Sequence, residues 1–147
     1  MSAIIAWAVA QVLKTALYLI TEKEFDLKRM ISDGGMPSAH SATVVALAGM
    51  CGWTQGFDSA AFAIAIIIAI VIMRDAVGVR HESGVNAAAI KELAEKANKS
   101  LAEGEAPIET NKLKLLVGHT ALQVACGCVI AIAVCIAYIL IGNIPAA

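Results

Sequence analysis

Long apolar runs, separated by polar stretches, divide this chain into a small number of predicted elements. Four runs approach the length of about 20 residues that a helix needs to cross the hydrocarbon core of a membrane. These runs cover residues 3–20, 39–53, 60–73 and 117–141. Between the last two, residues 86–101 place apolar residues such as Ile90 and Leu93 on one side of a helix and Lys and Glu on the other. The pattern predicts an all-α integral membrane helical bundle of about four transmembrane helices plus a cytosolic amphipathic helix.

Composition supports a membrane protein. Apolar residues make up 59% of the chain and charged residues 16%, and the mean hydropathy is +0.77, outside the usual range of globular domains. We expect residues 1–147 to form a single domain whose amphipathic helix lies on the membrane surface or over the mouth of the bundle, with a partner-binding helix as the alternative. The first run has no basic flank before it and no clear cleavage site after it, so we expect a mature transmembrane helix.

The basic residues predict an orientation. Of the eleven Lys and Arg, three lie between the first and second runs and seven lie between the third and fourth. Connections rich in Lys and Arg remain in the cytosol. Four spans would therefore leave both termini outside the plasma membrane and both long connections in the cytosol. Within the runs, small residues at helical spacing, Ala48 with Gly52 and Gly127 with Ala131, favour close helix contact in lipid.

Several polar and ionisable residues lie at the predicted cytosolic ends of the runs. Placing such residues in or near a membrane costs free energy, so their presence suggests a function. They are Gln11 and Lys14 in the first run, Ser38 and His40 in GGMPSAHS (34–41), Asp75 and Arg80 in RDAVGVRHESG (74–84), and Lys114, His119 and Gln123 around GHTALQ (118–123). Pro37 fits a first helical turn, so the amides that follow it would form an anion site at a helix N-terminus. Lys14, Arg80 and Lys114 would add positive charge around the anion.

Two histidines at one mouth suit phosphoryl transfer, in which one ring attacks phosphorus and the other protonates the leaving oxygen. On this interpretation His40 is the acid and Ser38 binds a phosphate oxygen, while His119 and Gln123 lie one helical turn apart. Structural explanations stay open beside it. Ser38 could only cap a helix, Lys14 could only extend its amine to the interface, and Asp75 could form a local ion pair with Arg74.

GGMPSAHS resembles the P-S-G-H element of the type 2 phosphatidic acid phosphatase superfamily, and residues 113–124, LKLLVGHTALQV, resemble its final histidine element. The whole chain is similar to the short, divergent membrane branch of that superfamily, with its G-G-M-P-S-x-H-S, D-A-x-G-V-R and L-K-x-L-x-G-H-T patterns. The resemblance implies a helical bundle and a phosphohistidine intermediate, without a metal or other cofactor. It implies that His119 is the nucleophile, His40 the general acid, Ser38 part of the phosphate cradle and Lys114 a phosphate-binding cation.

The roles of Asp75 and Arg80, which match the branch's own element, are not set by the resemblance. At position 123 the superfamily carries an acid, whereas this chain has Gln123. We expect a membrane lipid-phosphate phosphatase acting on phosphatidylglycerol phosphate or phosphatidate, with a homodimer possible and no nucleic-acid partner. The alternatives are a non-catalytic membrane protein that binds or senses a phosphorylated lipid, which Gln123 favours, and a structural subunit of a larger complex.

Overall fold

The computed structural model describes residues 1–22, 35–101, 105–111, 113, 117–142 and 144–147. This part of the chain contains five α-helices and no β-strand. The helices are α1 (Ser2–Glu22), α2 (Ala39–Gln55), α3 (Ala60–Val77), α4 (Val79–Asn98) and α5 (Ala121–Gly142). They correspond to the four predicted spans and the predicted amphipathic helix, in the expected order.

By length and composition, three stretches of the described residues can cross a membrane: Ser2–Thr21, Ala60–Asn98 and Ala121–Gly142. Helix α2 has 17 residues, slightly fewer than the roughly 20 that a span needs. It lies at the centre of the bundle, where it contacts α1, α3 and α5. The expected all-α membrane bundle is confirmed, with three or four helices apolar enough to span.

Alanines form the centre of this bundle. Ala6 and Ala10 of α1, Ala42 and Ala46 of α2, and Ala131 of α5 are fully buried in one cluster. Large apolar side chains instead point outward, as expected where the surroundings are lipid. Ala48, Gly52 and Gly127 are also buried, so the small residues expected at helix contacts do lie there.

The two central helices begin at serine caps. Ser38 Oγ accepts a hydrogen bond from Ser41 N at 3.3 Å, and Ser59 Oγ accepts one from Phe62 N at 3.2 Å. Helix α2 therefore starts at Ala39, and Pro37 precedes the cap. The expectation that Pro37 occupies the first turn is wrong, because the side chain that satisfies the first amides is that of Ser38.

Helix α4 starts seven residues before the predicted boundary at residue 86. Only Gly78 separates it from α3, and helical hydrogen bonds continue on both sides of that residue, from Gly78 N to Arg74 O and from Glu82 N to Gly78 O, each 2.9 Å. Ile90 and Leu93, on the predicted apolar side, are exposed. The helix is confirmed, and Ile90 and Leu93 are not covered by the other described residues.

Candidate functional site

The structure brings the two expected histidines together. His40 lies in the first turn of α2 and is exposed, whereas His119 lies two residues before the start of α5 and is only 2% exposed. Their ring centroids are 6.1 Å apart, and the planes meet at 78° in an edge-to-face arrangement. The site therefore consists of the exposed imidazole of His40, the outer ring, and the buried imidazole of His119, the inner ring, at one end of the bundle.

His119 is held by the junction between α3 and α4. Its backbone N donates to Ala76 O at 2.9 Å. The preceding Gly118 has φ +83°, and a Cβ at this position would collide with the backbone of Arg80 and His81. Both the left-handed conformation and the close approach require glycine there. The GHT sequence thus fixes His119 against the end of α3, although nothing in the sequence pattern signals the Ala76 contact.

Helix α5 begins at Ala121, two residues after His119. Thr120 Oγ1 accepts from Gln123 N at 3.4 Å, and Gln123 Oε1 accepts from Thr120 N at 3.0 Å. This reciprocal pair is a capping box with Thr120 as the N-cap. His119 therefore lies outside α5, and the expectation that it shares a helical turn with Gln123 is wrong. The T-x-x-Q spacing is the sequence signal that identifies this boundary.

Ser38, two residues before His40, joins α2 to α5. Its backbone N donates to Gln123 O at 3.1 Å, and Ser41 Oγ donates to Ser38 Oγ at 2.9 Å. Both serines are completely buried. Ser38 thus lies within the site, on its buried side, where its hydroxyl receives two hydrogen bonds from Ser41. Ser41 is a site residue that the sequence argument did not single out, although it ends the GGMPSAHS motif.

Lys14 reaches the GGMPSAHS loop from the middle of α1. It is only 8% exposed, and a Cβ placed on Gly35 would lie 3.8 Å from Lys14 Cδ. Three residues earlier, Gln11 Oε1 is buried without a hydrogen-bond partner among the described residues. The structure therefore brings an inward-facing cation beside the loop, as expected from the spacing of polar residues in α1.

Asp75 and Arg80 form an ion pair on the rim of the site. Arg80 Nε lies 2.5 Å from Asp75 Oδ2, and both side chains are partly exposed. The partner of Asp75 is thus Arg80 and not the neighbouring Arg74. The residue next to Asp75, Ala76, accepts the hydrogen bond from His119 N, so the ion pair lies beside the segment that holds His119. Lys114 lies outside the described residues.

Comparison with known proteins assigns the chain to a family. Residues 1–134 match the model of the Divergent PAP2 family. The chain is 35% identical over 133 residues to the uncharacterized membrane protein YuiD of Bacillus subtilis (strain 168), an alignment covering 86% of this chain and 84% of the relative. No solved structure matches the chain significantly. The family match covers both histidine elements, and the chain belongs to the Divergent PAP2 family of membrane proteins.

Proposed function

We propose that this protein is a membrane lipid-phosphate phosphatase that uses His119 as nucleophile and His40 as general acid. The observation that carries the proposal is the pairing of the two rings at 6.1 Å. A nucleophile must approach within about 3–3.5 Å of the reacting atom, and a proton donor must lie within about 2.6–3.2 Å of the leaving oxygen. Because the bond from phosphorus to the leaving oxygen lies between these two contacts, the attacking and protonating nitrogens must be roughly 7 Å apart. The two rings lie close to this arrangement, and the exposed His40 ring must move outward to admit a phosphoryl group.

In the first step, a ring nitrogen of His119 donates its lone pair to phosphorus as the bond from phosphorus to the lipid oxygen breaks. Protonated His40 gives its proton to that oxygen, so a lipid alcohol leaves and His119 carries the phosphoryl group. The exposed His40 ring can move to admit the substrate, because surface side chains change rotamer rapidly. His119 stays fixed by the hydrogen bond from its backbone to Ala76 O.

In the second step, His40, now neutral, takes a proton from a water molecule whose oxygen attacks phosphorus. The bond from phosphorus to nitrogen breaks, its electron pair returns to His119, and inorganic phosphate leaves. Positive charge near the phosphate would come from Lys14, beside the GGMPSAHS loop, and from Arg80 on the rim. Lys114 is proposed as a further cation from its place in the motif. Positive groups of this kind stabilise the charge on the transferring phosphoryl group.

The proposed substrate is a phosphorylated lipid of the cytosolic leaflet, with phosphatidylglycerol phosphate and phosphatidate as candidates. The support is the charge asymmetry, since the connections that lead to the histidine end of the bundle contain ten of the eleven Lys and Arg. If this end of the bundle faces the cytosolic side of the cell membrane, the site has access to lipids made on the inner leaflet.

Phosphate release from a panel of lipid phosphates, by protein purified in detergent, tests the proposal. Vanadate, which mimics the trigonal-bipyramidal transition state, should inhibit release. His119→Ala should abolish release, and His81→Ala is the matched control because His81 lies nearby in the first turn of α4 and has no part in the mechanism. Equal loss in the two variants, or no release by the natural sequence, would contradict the proposed reaction.

A second candidate function is non-catalytic binding or sensing of a phosphorylated lipid. Two observations favour it: His119 is almost fully buried, and the Gln123 amide is committed to the capping box with Thr120. An amide also supplies no negative charge to stabilise an imidazolium. Tight binding of a lipid phosphate without phosphate release would identify this function.

A further inference from the structure

We infer that Gly127, together with the hydrogen-bonded serines Ser38 and Ser41, sets the separation of the two histidines. Gly127 allows the first turn of α2 to lie directly against α5, and that contact fixes how far His40 lies from His119. Gly127 is thus a positioning residue, and its effect on rate rests on the proposed function. The packing role itself does not depend on catalysis.

The contact leaves no room for a side chain. A Cβ on Gly127 would collide with the carbonyl oxygen of Ser38 and would lie 3.0 Å from Ser41 Cβ and 3.3 Å from Ala42 N. Two of these three atoms are backbone, and they belong to the first hydrogen bond of α2, from Ala42 N to Ser38 O at 3.1 Å. They cannot rotate away as a flexible side chain could, so any larger residue must push the helices apart.

A second contact lies one turn along α5. Ser38 N donates to the carbonyl oxygen of Gln123 at 3.1 Å. Residues four apart share one side of a helix, so Gln123 and Gly127 meet the start of α2 along one line. Ser41 Oγ strengthens this turn by donating to Ser38 Oγ at 2.9 Å, and both serines are fully buried. The first turn of α2 is thus fixed to α5 at two points.

Both rings are attached close to these points. His40 lies between Ser38 and Ser41 in the sequence, and His119 precedes Gln123 by four residues. Carbon atoms in ordinary contact are about 3.5–4.0 Å apart, so an added methyl group would displace α2 by on the order of 1 Å. A misplacement of that size can cost on the order of 10²-fold in rate. We expect Gly127→Ala to lower kcat roughly 10- to 100-fold and to change KM much less, since the proposed phosphate-binding cations Lys14 and Arg80 lie on neither α2 nor α5.

Gly49→Ala is the matched control. Gly49 lies on α2 and faces α5, and a Cβ there would be 3.5 Å from Cys135 Sγ, an ordinary contact. The same methyl group is therefore added between the same two helices at a place that has room. Both variants should be compared for kcat and KM on phosphatidate and for the nuclear Overhauser effect between His40 and His119 ring protons in detergent micelles. Gly49→Ala should match the natural sequence in all three, whereas Gly127→Ala should lower kcat and weaken the ring-to-ring signal.

The ring-to-ring signal separates this inference from the proposed activity. An unchanged kcat and signal in Gly127→Ala would overturn the inference. A signal weakened only in Gly127→Ala, in a protein that releases no phosphate, would support the spacing role and reject the phosphatase. If Gly127→Ala loses its helical circular dichroism, Ser41→Ala decides instead, because it removes one hydroxyl and adds no volume. That variant should lower kcat about fivefold, and equal kcat and ring signal would refute the inference.

Discussion

Replacing Gln123 separates a role in helix capping from a role in catalysis. Gln123→Ala removes the oxygen that accepts a hydrogen bond from Thr120 N at 3.0 Å. Loss of a capping contact costs about 1 kcal/mol, and 1.4 kcal/mol corresponds to a factor of ten. The first turn of α5 should therefore open roughly fivefold more often. Because His119 is bonded directly to Thr120, this opening should also disturb the inner ring.

Gln123→Glu should have the opposite effect. A glutamate at the third helical position retains the capping box, and its negative charge is favourable near a helix N-terminus by about 0.3–1 kcal/mol. It also restores the acid that the related phosphatase superfamily carries at this position, where a carboxylate can stabilise the imidazolium formed on His119. We expect stability and phosphatase activity to be kept or raised in Gln123→Glu and lowered in Gln123→Ala.

Hydrogen exchange at the Thr120 amide, thermal unfolding in detergent and phosphate release would measure these effects. The matched control is Gln55→Ala, since Gln55 is an exposed glutamine at the last residue of α2 and should be neutral in all three assays. Identical Thr120 exchange in the natural sequence and in Gln123→Ala would refute the capping argument. Faster exchange with unchanged activity would show that the capping box does not position His119.

Three further predictions concern chemistry and orientation. His40→Ala should leave a slow enzyme that still hydrolyses an activated aryl phosphate, whose leaving group needs no proton. His119→Ala should be inactive on lipid phosphates and on the aryl phosphate. Equal loss on the two substrates in His40→Ala would contradict the assigned roles. Asp75→Asn should sharply lower activity, and lower it less in the Gln123→Glu background, if Asp75 supplies the missing negative charge; a harmless substitution in both backgrounds rejects that role. A cysteine at Ser100 should react with a membrane-impermeant thiol reagent only after the membrane is opened, and labelling of intact cells would invert the proposed orientation.

The pairing of His40 with His119 could be predicted because both lie at the start of apolar runs that begin on the same side of the membrane. Two runs that begin on one side must bring their starting residues to one end of the bundle, whatever the details of packing. The helix boundaries near the histidines could not be predicted from the apolar runs alone. Pro37 and His119 were both expected within helices, but the side chains of Ser38 and Thr120 cap the helices one residue later. Capping depends on individual hydrogen bonds, which hydrophobic periodicity does not reveal.

The different burial of the two rings could not be predicted, because it depends on contacts between elements distant in sequence. His119 is covered where its loop meets Ala76 and the start of α4. His40 lies on α2 and is exposed. Neither contact leaves a periodic trace in the sequence. Only the glycine at position 118 points to one of them, since its left-handed conformation and its lack of a side chain are both required.

In a membrane protein, hydrophobicity does not distinguish the buried side of a helix from its lipid-facing side, because lipid tails are as apolar as leucine. Small residues carry that information instead. On α5 the buried positions are Gly127, Ala131 and Cys135, spaced four residues apart, while Ile132 and Ile136, which directly follow Ala131 and Cys135, are exposed. This row of buried small residues on α5 packs against α2. At the end nearest the histidines, Gly127 contacts the first turn of α2. The geometry of the candidate site therefore depends on the same kind of small residue that holds the bundle together, and added volume at Gly127, which contacts the first turn of α2, should displace the histidine pair.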